Sequence, residues 1–517
     1  MGGARADMKA GHTEFELKFA GSPGVVAALI GSDFVSAAAP DRGEWERLAS
    51  RYYDTTDRRL AKKGISLRLR EEGGALIQAV KIRRSSAASR LEYETEISGE
   101  GAFPAQTGNE DIDDAIDAVA PALELFAETT VDRWASVISF RGTKIELAVD
   151  IGRAECRDDE GRDYAAPLAE VELELIKGDP SRVFDFARLL LGHAPLRYRA
   201  LSKLETAERL ARPPGVILPA PRTQIDGDMS AADALQHSLN AIAARLAEVQ
   251  PFILDFRTPE GVHQMRVALR RLRSIERVFR PYLKSDEFAS LAQRAKSFAG
   301  ALGPARDWDV FIGETLPVAQ RTDGMVAGLT TLKAKAEATC AEAWAEAFEA
   351  VASKDFNRFI LDVAKAGALG AWRKKTKGAA KASVRTFAPA VLDRALNKTL
   401  QVAAKTPACA DLSARHPLRI ALKKLRYPVQ LFRPLYPKAS RKDYMSALSA
   451  MQDAFGAVND AVAAQSLADR LASGEGKDTV RAAGFIAGYK AAEAQSAVET
   501  IDAAWARFEK MTPFWRD

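Results

Sequence analysis

Polar and apolar residues alternate strictly along Thr13-Glu14-Phe15-Glu16-Leu17-Lys18-Phe19, with Glu14, Glu16 and Lys18 on one face and Phe15, Leu17 and Phe19 on the other. A period of two predicts a β-strand, because successive side chains of extended backbone point to opposite faces. The same pattern recurs at 66–70, 79–83, 90–96, 144–150 and 170–175, nearly always with one charged and one apolar face. Between these runs, 22–33, 112–125 and 181–191 carry apolar residues at helical spacing. After about residue 228 the pattern turns Ala- and Leu-rich and helical, with no convincing strand. The change follows Arg212-Pro213-Pro214-Gly215-Val216-Ile217-Leu218-Pro219-Ala220-Pro221, whose prolines lack the donors that helix and sheet need. We therefore expect an α+β chain: a β-rich domain at 10–208, a Pro-rich linker at 209–226 and an all-α domain at 227–512.

Charge sorts itself among the predicted strands. Arg68 and Arg70 share one face, as do Lys81 and Arg83; Glu170, Glu172 and Glu174 share another, and Lys144, Glu146 and Asp150 a third. A sheet with one solvated face is the plain reading of each strand alone. Segregated charge and an apolar face that needs covering point instead to a closed antiparallel barrel, with charges inside and helices outside. Carboxylates converging without thiol or imidazole partners suit a hard divalent cation, Mg2+ or Mn2+. Converging Arg and Lys suit a phosphorylated anion, so together the walls describe a metal-bridged chain of phosphates. No Gly-rich phosphate loop, Ser/His/Asp order or redox motif competes.

The helical half contains a repeat. His263-Gln264-Met265-Arg266-Val267-Ala268-Leu269-Arg270-Arg271-Leu272-Arg273 returns as His416-Pro417-Leu418-Arg419-Ile420-Ala421-Leu422-Lys423-Lys424-Leu425-Arg426, an offset of 153 residues (416 minus 263). Phe279 and Phe432, Gly303 and Gly456, and Asp307 and Asp460 keep the same offset, which predicts two copies at about 227–370 and 383–512. On a helix, His263, Arg266, Arg270 and Arg273 fall on one stripe, and His416, Arg419, Lys423 and Arg426 on its counterpart. Like charges at this spacing repel, so a cost repeated in both copies points to an anionic partner. Asp307, Asp309 and Asp460 could neutralise part of the stripes, and the run Arg373-Lys374-Lys375-Thr376-Lys377 reads as a solvated link.

Composition adds bounds. At 517 residues, 47% hydrophobic and 28% charged, the chain has ordinary soluble composition and room for two or three domains. A net charge of +5 means that any basic site must come from clustering. Cys156, Cys340 and Cys409 give no disulfide framework or zinc spacing and fit a reducing compartment. The first residues, Met1 to Asp7, lack a signal peptide's apolar core, and no apolar run is long enough for a membrane, so the expected location is cytoplasmic.

Glu14-x-Glu16-x-Lys18, Tyr52-Tyr53-Asp54-Thr55, Leu67-Arg68-Leu69-Arg70, Lys81-x-Arg83, Arg90-x-Glu92 and Glu170-Val171-Glu172-Leu173-Glu174 together resemble the CYTH domains, or triphosphate tunnel metalloenzymes. That resemblance implies an eight-stranded antiparallel tunnel hydrolysing triphosphates with Mg2+ or Mn2+. It assigns Glu14, Glu16, Asp150, Glu170 and Glu172 to metal, and Lys18, Arg68, Arg70, Lys81, Arg83, Arg141 and Lys203 to substrate phosphates. Glu14, Glu16, Lys18 and Lys203 are thereby the catalytic set. Lys81-Ile82-Arg83 departs from the commoner Thr-x-Lys-x-Pro form, and Glu92, Glu94, Arg133 and Glu174 fit equally as ion pairs that hold a tunnel open. The repeated basic motif with Leu302-Gly303-Pro304-Ala305-Arg306-Asp307 resembles the CHAD domain, which implies that His263, Arg266, Arg270, Arg273, His416, Arg419, Lys423 and Arg426 bind inorganic polyphosphate.

The combined resemblance, to bacterial two-domain inorganic triphosphatases, implies inorganic triphosphate as substrate and inorganic polyphosphate as a further partner. The alternatives are a polyphosphate-binding or localisation protein with weak catalysis, or a nucleotide, thiamine or RNA 5′-triphosphatase or adenylate cyclase on the same tunnel. The helical half lacks the interleaved aromatic residues of single-strand binders, so a nucleic-acid partner is not expected, and nor is a membrane.

Overall fold

The computed structural model describes residues 9–39, 43–72, 74–83, 88–97, 99, 103, 107–158, 160–212, 215–219, 225–283, 285–320, 328–376, 378–406 and 412–516. The segment Met1 to Asp7, connector prolines Pro213, Pro214 and Pro221, Lys377 and Cys409 lie outside the described residues. The strands are β1 (Lys9–Ala20), β2 (Glu44–Asp54), β3 (Ile65–Glu72), β4 (Ala75–Arg83) and β5 (Ser89–Ile97). They continue with β6 (Glu124–Phe140), β7 (Thr143–Arg157), β8 (Asp163–Lys177) and β9 (Arg197–Arg199). Helices α1 (Pro23–Ile30), α2 (Asp33–Ala38), α3 (Arg59–Lys62), α4 (Glu110–Asp117) and α5 (Pro180–His193) lie between strands, and α6 (Lys203–Leu210) follows β9.

Antiparallel pairing runs β5-β4-β3-β2-β6-β7-β8-β1, and β1 also pairs with β5. Eight strands thus close into a barrel without free edges, and β9 adds to β1. The alternation in β1 turns Glu14, Glu16 and Lys18 inward, all buried, while its apolar face meets helices outside. Phe15 packs edge-on to Phe184 of α5, with ring centroids 6.0 Å apart. Elsewhere on the outside, Ile112, Ala115 and Ile116 of α4 cover Ile65, Leu67 and Val80. The helical run expected at 112–125 stops at Asp117: a 3-10 turn over Ala120–Ala122, with Pro121 in it, leads into β6.

One part of the interior is not polar. The inward-facing Leu48, Tyr52, Val131, Ala154 and Leu168 pack with Ala207, Leu204 and Leu210 of α6. This helix therefore lies against the inner face of the sheet, and the charged residues occupy the remainder of the interior. The charged strands alone gave no sign of this apolar half.

The remaining helices are α7 (Ala231–Leu254), α8 (Pro259–Phe279), α9 (Asp286–Ala301), α10 (Gly303–Val310), α11 (Leu316–Gln320) and α12 (Leu329–Ala352). After them come α13 (Lys354–Leu369), α14 (Val384–Ala403), α15 (Leu412–Phe432), α16 (Lys438–Ala472) and α17 (Lys477–Glu509). The repeat is visible in the boundaries: α15 begins and ends 153 residues after α8 (412 minus 259, 432 minus 279), and α14 begins 153 after α7 (384 minus 231). The copies differ at one joint. Gly303-Pro304 separates α9 from α10, whereas the matching Gly456-Ala457 lies inside the unbroken α16, because alanine keeps the backbone N–H that proline lacks.

By internal contact the chain forms two compact units. The first takes the barrel with Leu239–Phe256 and Ser353–Ala371, hence most of α7 and all of α13. The second takes α8 to α12 and α14 to α17. Among the described residues no helix is long and apolar enough to cross a membrane.

Candidate active site

Strand register brings the charges together. Lys18 of β1 lies opposite Glu172 of β8, and Asp150 of β7 stands between Glu170 of β8 and Arg133 of β6. Asp150, Glu170 and Glu172 are buried and each can offer an oxygen within 4.8 Å of the others. Lys203, the first residue of α6, places Nζ 2.8 Å from Asp150, 2.5 Å from Glu170 and 2.8 Å from Glu172. Its position follows from local sequence, since Ser202 and Glu205 form a capping box that starts the helix there. Lys18 Nζ joins Glu172 at 2.6 Å and Glu16 at 3.0 Å.

The facing wall comes from β3, β4 and β5. Lys81 contacts Glu14 at 3.1 Å and Glu92 at 3.0 Å, and Arg68 contacts Glu92 at 3.4 Å and Glu94 at 3.6 Å. Arg70 reaches Glu94 at 3.9 Å and pairs with Glu72.

These fields set the protonation states. Burial pulls the Lys203 ammonium down, but Asp150, Glu170 and Glu172 outweigh it and hold the pKa well above the ordinary lysine value. Burial likewise opposes charge on Glu172, yet Lys18, Lys203 and Arg133 keep it well below the ordinary carboxylate range. Glu174 is the exception. It makes no ion pair among the described residues, and burial, reinforced by Glu14, Glu146 and Glu16, pushes its pKa up to about 8.

The triad fits a hard divalent cation. Its donors are all carboxylate oxygens. Glu170 Oε1 and Glu16 Oε1 are buried, and their partners at 2.5 to 3.4 Å are the cations Lys203, Lys18 and Arg90, whose place a metal ion would take. Of the five ligands expected from sequence, Asp150, Glu170 and Glu172 form this group. Glu14 and Glu16 are engaged instead by Lys81, Lys18 and Arg90.

Two expected phosphate contacts are not brought to the interior. Arg141 sits at the exposed turn between β6 and β7 with φ of 49°, its guanidinium over the Phe140 ring. The Arg83 side chain is 62% exposed and pairs with Glu205. Three arginines outside the expected metal and phosphate sets belong to the cluster. Arg133 holds Asp150 through two contacts of 2.7 Å and also pairs with Glu172; Arg90 meets Glu16 at 3.4 Å; Arg199 meets Glu170 at 3.2 Å. Alternation in Arg90-Leu91-Glu92 already put Arg90 on the charged face, and Arg133 makes the kind of ion pair expected of it, but nothing local marks Arg199.

In the helical unit the basic stripes lie on α8 and α15. None of His263, Arg266, Arg270, Arg273, His416, Arg419, Lys423 or Arg426 has an ion-pair partner among the described residues; Arg266 donates instead to the Ala299 carbonyl at 2.7 Å. The stripes sense each other: burial, then Arg419 and Arg270, lowers the Lys423 pKa, against a weaker pull from Asp460. Asp307 acts on Arg266 and Asp460 on Arg419, whereas Asp309 faces Trp344 Nε1 at 2.9 Å. The basic run between the copies is not a loose link, because Arg373 contacts Asp233 at 2.5 Å and Gln236 at 2.6 Å.

A family model described as the CYTH domain matches residues 13–207, and one described as the CHAD domain matches residues 230–469. The chain is 28% identical over 159 residues to the inorganic triphosphatase of Haemophilus influenzae. That match covers 30% of this chain and 44% of the relative, so less than half the relative's length is spanned. Among solved structures, the CHAD domain from the plant Ricinus communis is similar at 28% identity and a TM-score of 0.49, covering 57% of this chain and 98% of that one. PptA from Streptomyces chartreusis is similar at 18% identity and a TM-score of 0.44, covering 54% and 100%.

Proposed function

We propose that this chain, a CYTH domain followed by a CHAD domain, hydrolyses inorganic triphosphate in its barrel with Mg2+ or Mn2+ and binds inorganic polyphosphate with its helices. The catalytic domain is taken as 10–208 and the polyphosphate-binding one as 227–512, joined by 209–226. The observation that carries the reading is the buried triad Asp150, Glu170 and Glu172 inside a closed barrel whose facing wall is basic.

Asp150, Glu170 and Glu172 would hold the metal, with Glu14 and Glu16 beside them. When bound, a divalent cation supplies charge that offsets the negative charge of the phosphate oxygens. Lys18 and Lys203 present ammonium groups next to the carboxylates, and Arg68, Arg70 and Lys81 grip the phosphate chain from the other wall. Arg133 fixes Asp150 and Glu172 in orientation. Glu174 sits among the carboxylates Glu14, Glu146 and Glu16, and burial with their charge disfavours its ionised form. A carboxylate of the acidic wall takes the proton of the attacking water; in-line attack on the terminal phosphorus breaks the phosphoanhydride, and pyrophosphate leaves with orthophosphate.

The deciding experiment is a phosphate-release panel with Mg2+ and Mn2+ over inorganic triphosphate, thiamine triphosphate, ATP and long-chain polyphosphate. Inorganic triphosphate should be preferred, and Glu16→Gln should lose metal-dependent turnover by about a hundredfold or more while staying folded. A preference for ATP would move the assignment to nucleotides, and full activity in Glu16→Gln would overturn the site. Polyphosphate binding rests on the eight basic and histidine side chains of the stripes, which have no ion-pair partner among the described residues; burial, then Arg419 and Arg270, lowers the Lys423 pKa.

A further inference from the structure

Two of the cations on the triad arrive on short elements, of which α6 is anchored inside the barrel by Leu204, Ala207 and Leu210. Arg199 comes from β9, three residues long and hydrogen-bonded only to β1. Lys203 comes from α6, eight residues long, and helices of that length are marginal without tertiary support. A 24-residue helix, α7, contacts α6, and the residue that follows it contacts β9. Arg209, in the last turn of α6, contacts Glu248 at 2.6 Å, and Arg197 of β9 contacts Asp255 through distances of 2.9 and 3.0 Å. Glu248 lies in the last two turns of α7, and Asp255 follows its last residue, Leu254, with its N–H still bonded to the Pro251 carbonyl at 2.7 Å. Arg245 braces Glu248 at 3.1 Å and donates to the Leu218 carbonyl at 2.8 Å. The strut is itself fixed: buried Gln250 donates to Asn357 of α13 at 2.9 Å, while Asp362 and Lys365 of α13 contact Arg188 and Asp185 of α5 at 2.7 and 2.9 Å.

We infer that Glu248, and secondarily Asp255, are positioning residues of the barrel site: from α7 and the turn that ends it they hold α6 and β9 so that Lys203 and Arg199 stay on the acidic triad. This rests on the triphosphatase reading of that site. The two grips are unequal. The Glu248 side chain is 12% exposed and Asp255 46%, and exposed pairs contribute little. Lys203 and a metal ion compete for the same three carboxylates. Loosening α6 therefore weakens the hold on phosphate but relieves the competition for metal.

The test uses the full chain as wild type, Glu248→Gln, Arg209→Gln, the double variant and Asp255→Asn. Steady-state hydrolysis of triphosphate gives KM, and Mn2+ titration followed by electron paramagnetic resonance gives metal affinity. Glu248→Gln should raise KM by about tenfold and tighten Mn2+ by about threefold, with Asp255→Asn changing each by about twofold or less. Arg209→Gln should reproduce Glu248→Gln, and the double variant should add nothing. Unchanged values, losses of both affinities together, or additive effects of the two partners would overturn positioning. A wild type that binds Mn2+ but hydrolyses no triphosphate would instead overturn the reading of the site, and the Mn2+ arm would still decide the inference.

Discussion

Lys203 sets the charge balance of the barrel at the scale of single residues. Its ammonium touches three buried carboxylates that otherwise repel one another. Removing one partner of a buried ion pair costs about 3–5 kcal/mol, because the remaining charge stays desolvated. Lys203→Met should therefore be less stable by about that amount in urea melts at neutral pH, and added Mn2+ should stabilise the variant more than the wild type. Glu174 predicts a pH effect of defined sign. Its folded pKa of about 8 lies above the ordinary 4.5, so between these values the folded chain keeps a proton that the unfolded chain has lost. Its contribution to stability is present in full below pH 4.5 and is lost as pH rises toward 8. Urea melts in chelator should show Glu174→Gln gaining on the wild type from about pH 5 to about pH 8.5.

At the scale of elements, closure of the barrel depends on one glycine. A Cβ at Gly152 of β7 would lie 2.0 Å from the Thr130 carbonyl oxygen and 2.7 Å from Val131 Cα, both backbone atoms of β6. Paired strands cannot move apart there without losing hydrogen bonds, so Gly152→Ala should cost about 3 kcal/mol or more in denaturant melts. Gly484 makes the contrast. It is exposed in α17, a Cβ there would meet nothing within 4 Å, and Gly484→Ala should stabilise the chain by up to about 1 kcal/mol.

At the scale of the molecule, the two compact units arrange their cations differently. The barrel pairs its cations with carboxylates, so a substrate must bring metal or displace ion pairs; the helical unit leaves its basic stripes without ion pairs among the described residues. The second arrangement favours a long, flexible anion held mainly by charge. Binding of long-chain polyphosphate should weaken steadily with added salt. Arg266→Ala combined with Arg419→Ala should reduce it by about tenfold or more in a titration at low salt. Binding that survives both changes would remove the stripes as the site.

Local pattern alone determined the strands with charged faces, the switch to helices and the duplication, because periods of two and of 3.6 and a fixed offset are properties of the chain itself. Glu14, Glu16, Lys18, Asp150, Glu170, Glu172, Arg68, Arg70 and Lys81 were legible as charged-face residues for that reason, and their roles only through the family resemblance. Tertiary structure decided which of them meet. Sequence could not show that α6 fills part of the barrel interior or that Arg141 turns out at a hairpin; nor could it show which carboxylates Arg133 pairs with or that Arg199 belongs to the acidic cluster. It also gave no sign that α7 and α13 join the barrel's compact unit. Each depends on strand register and on contacts between residues far apart in the chain, where the burial of charge is compensated only after the barrel has closed.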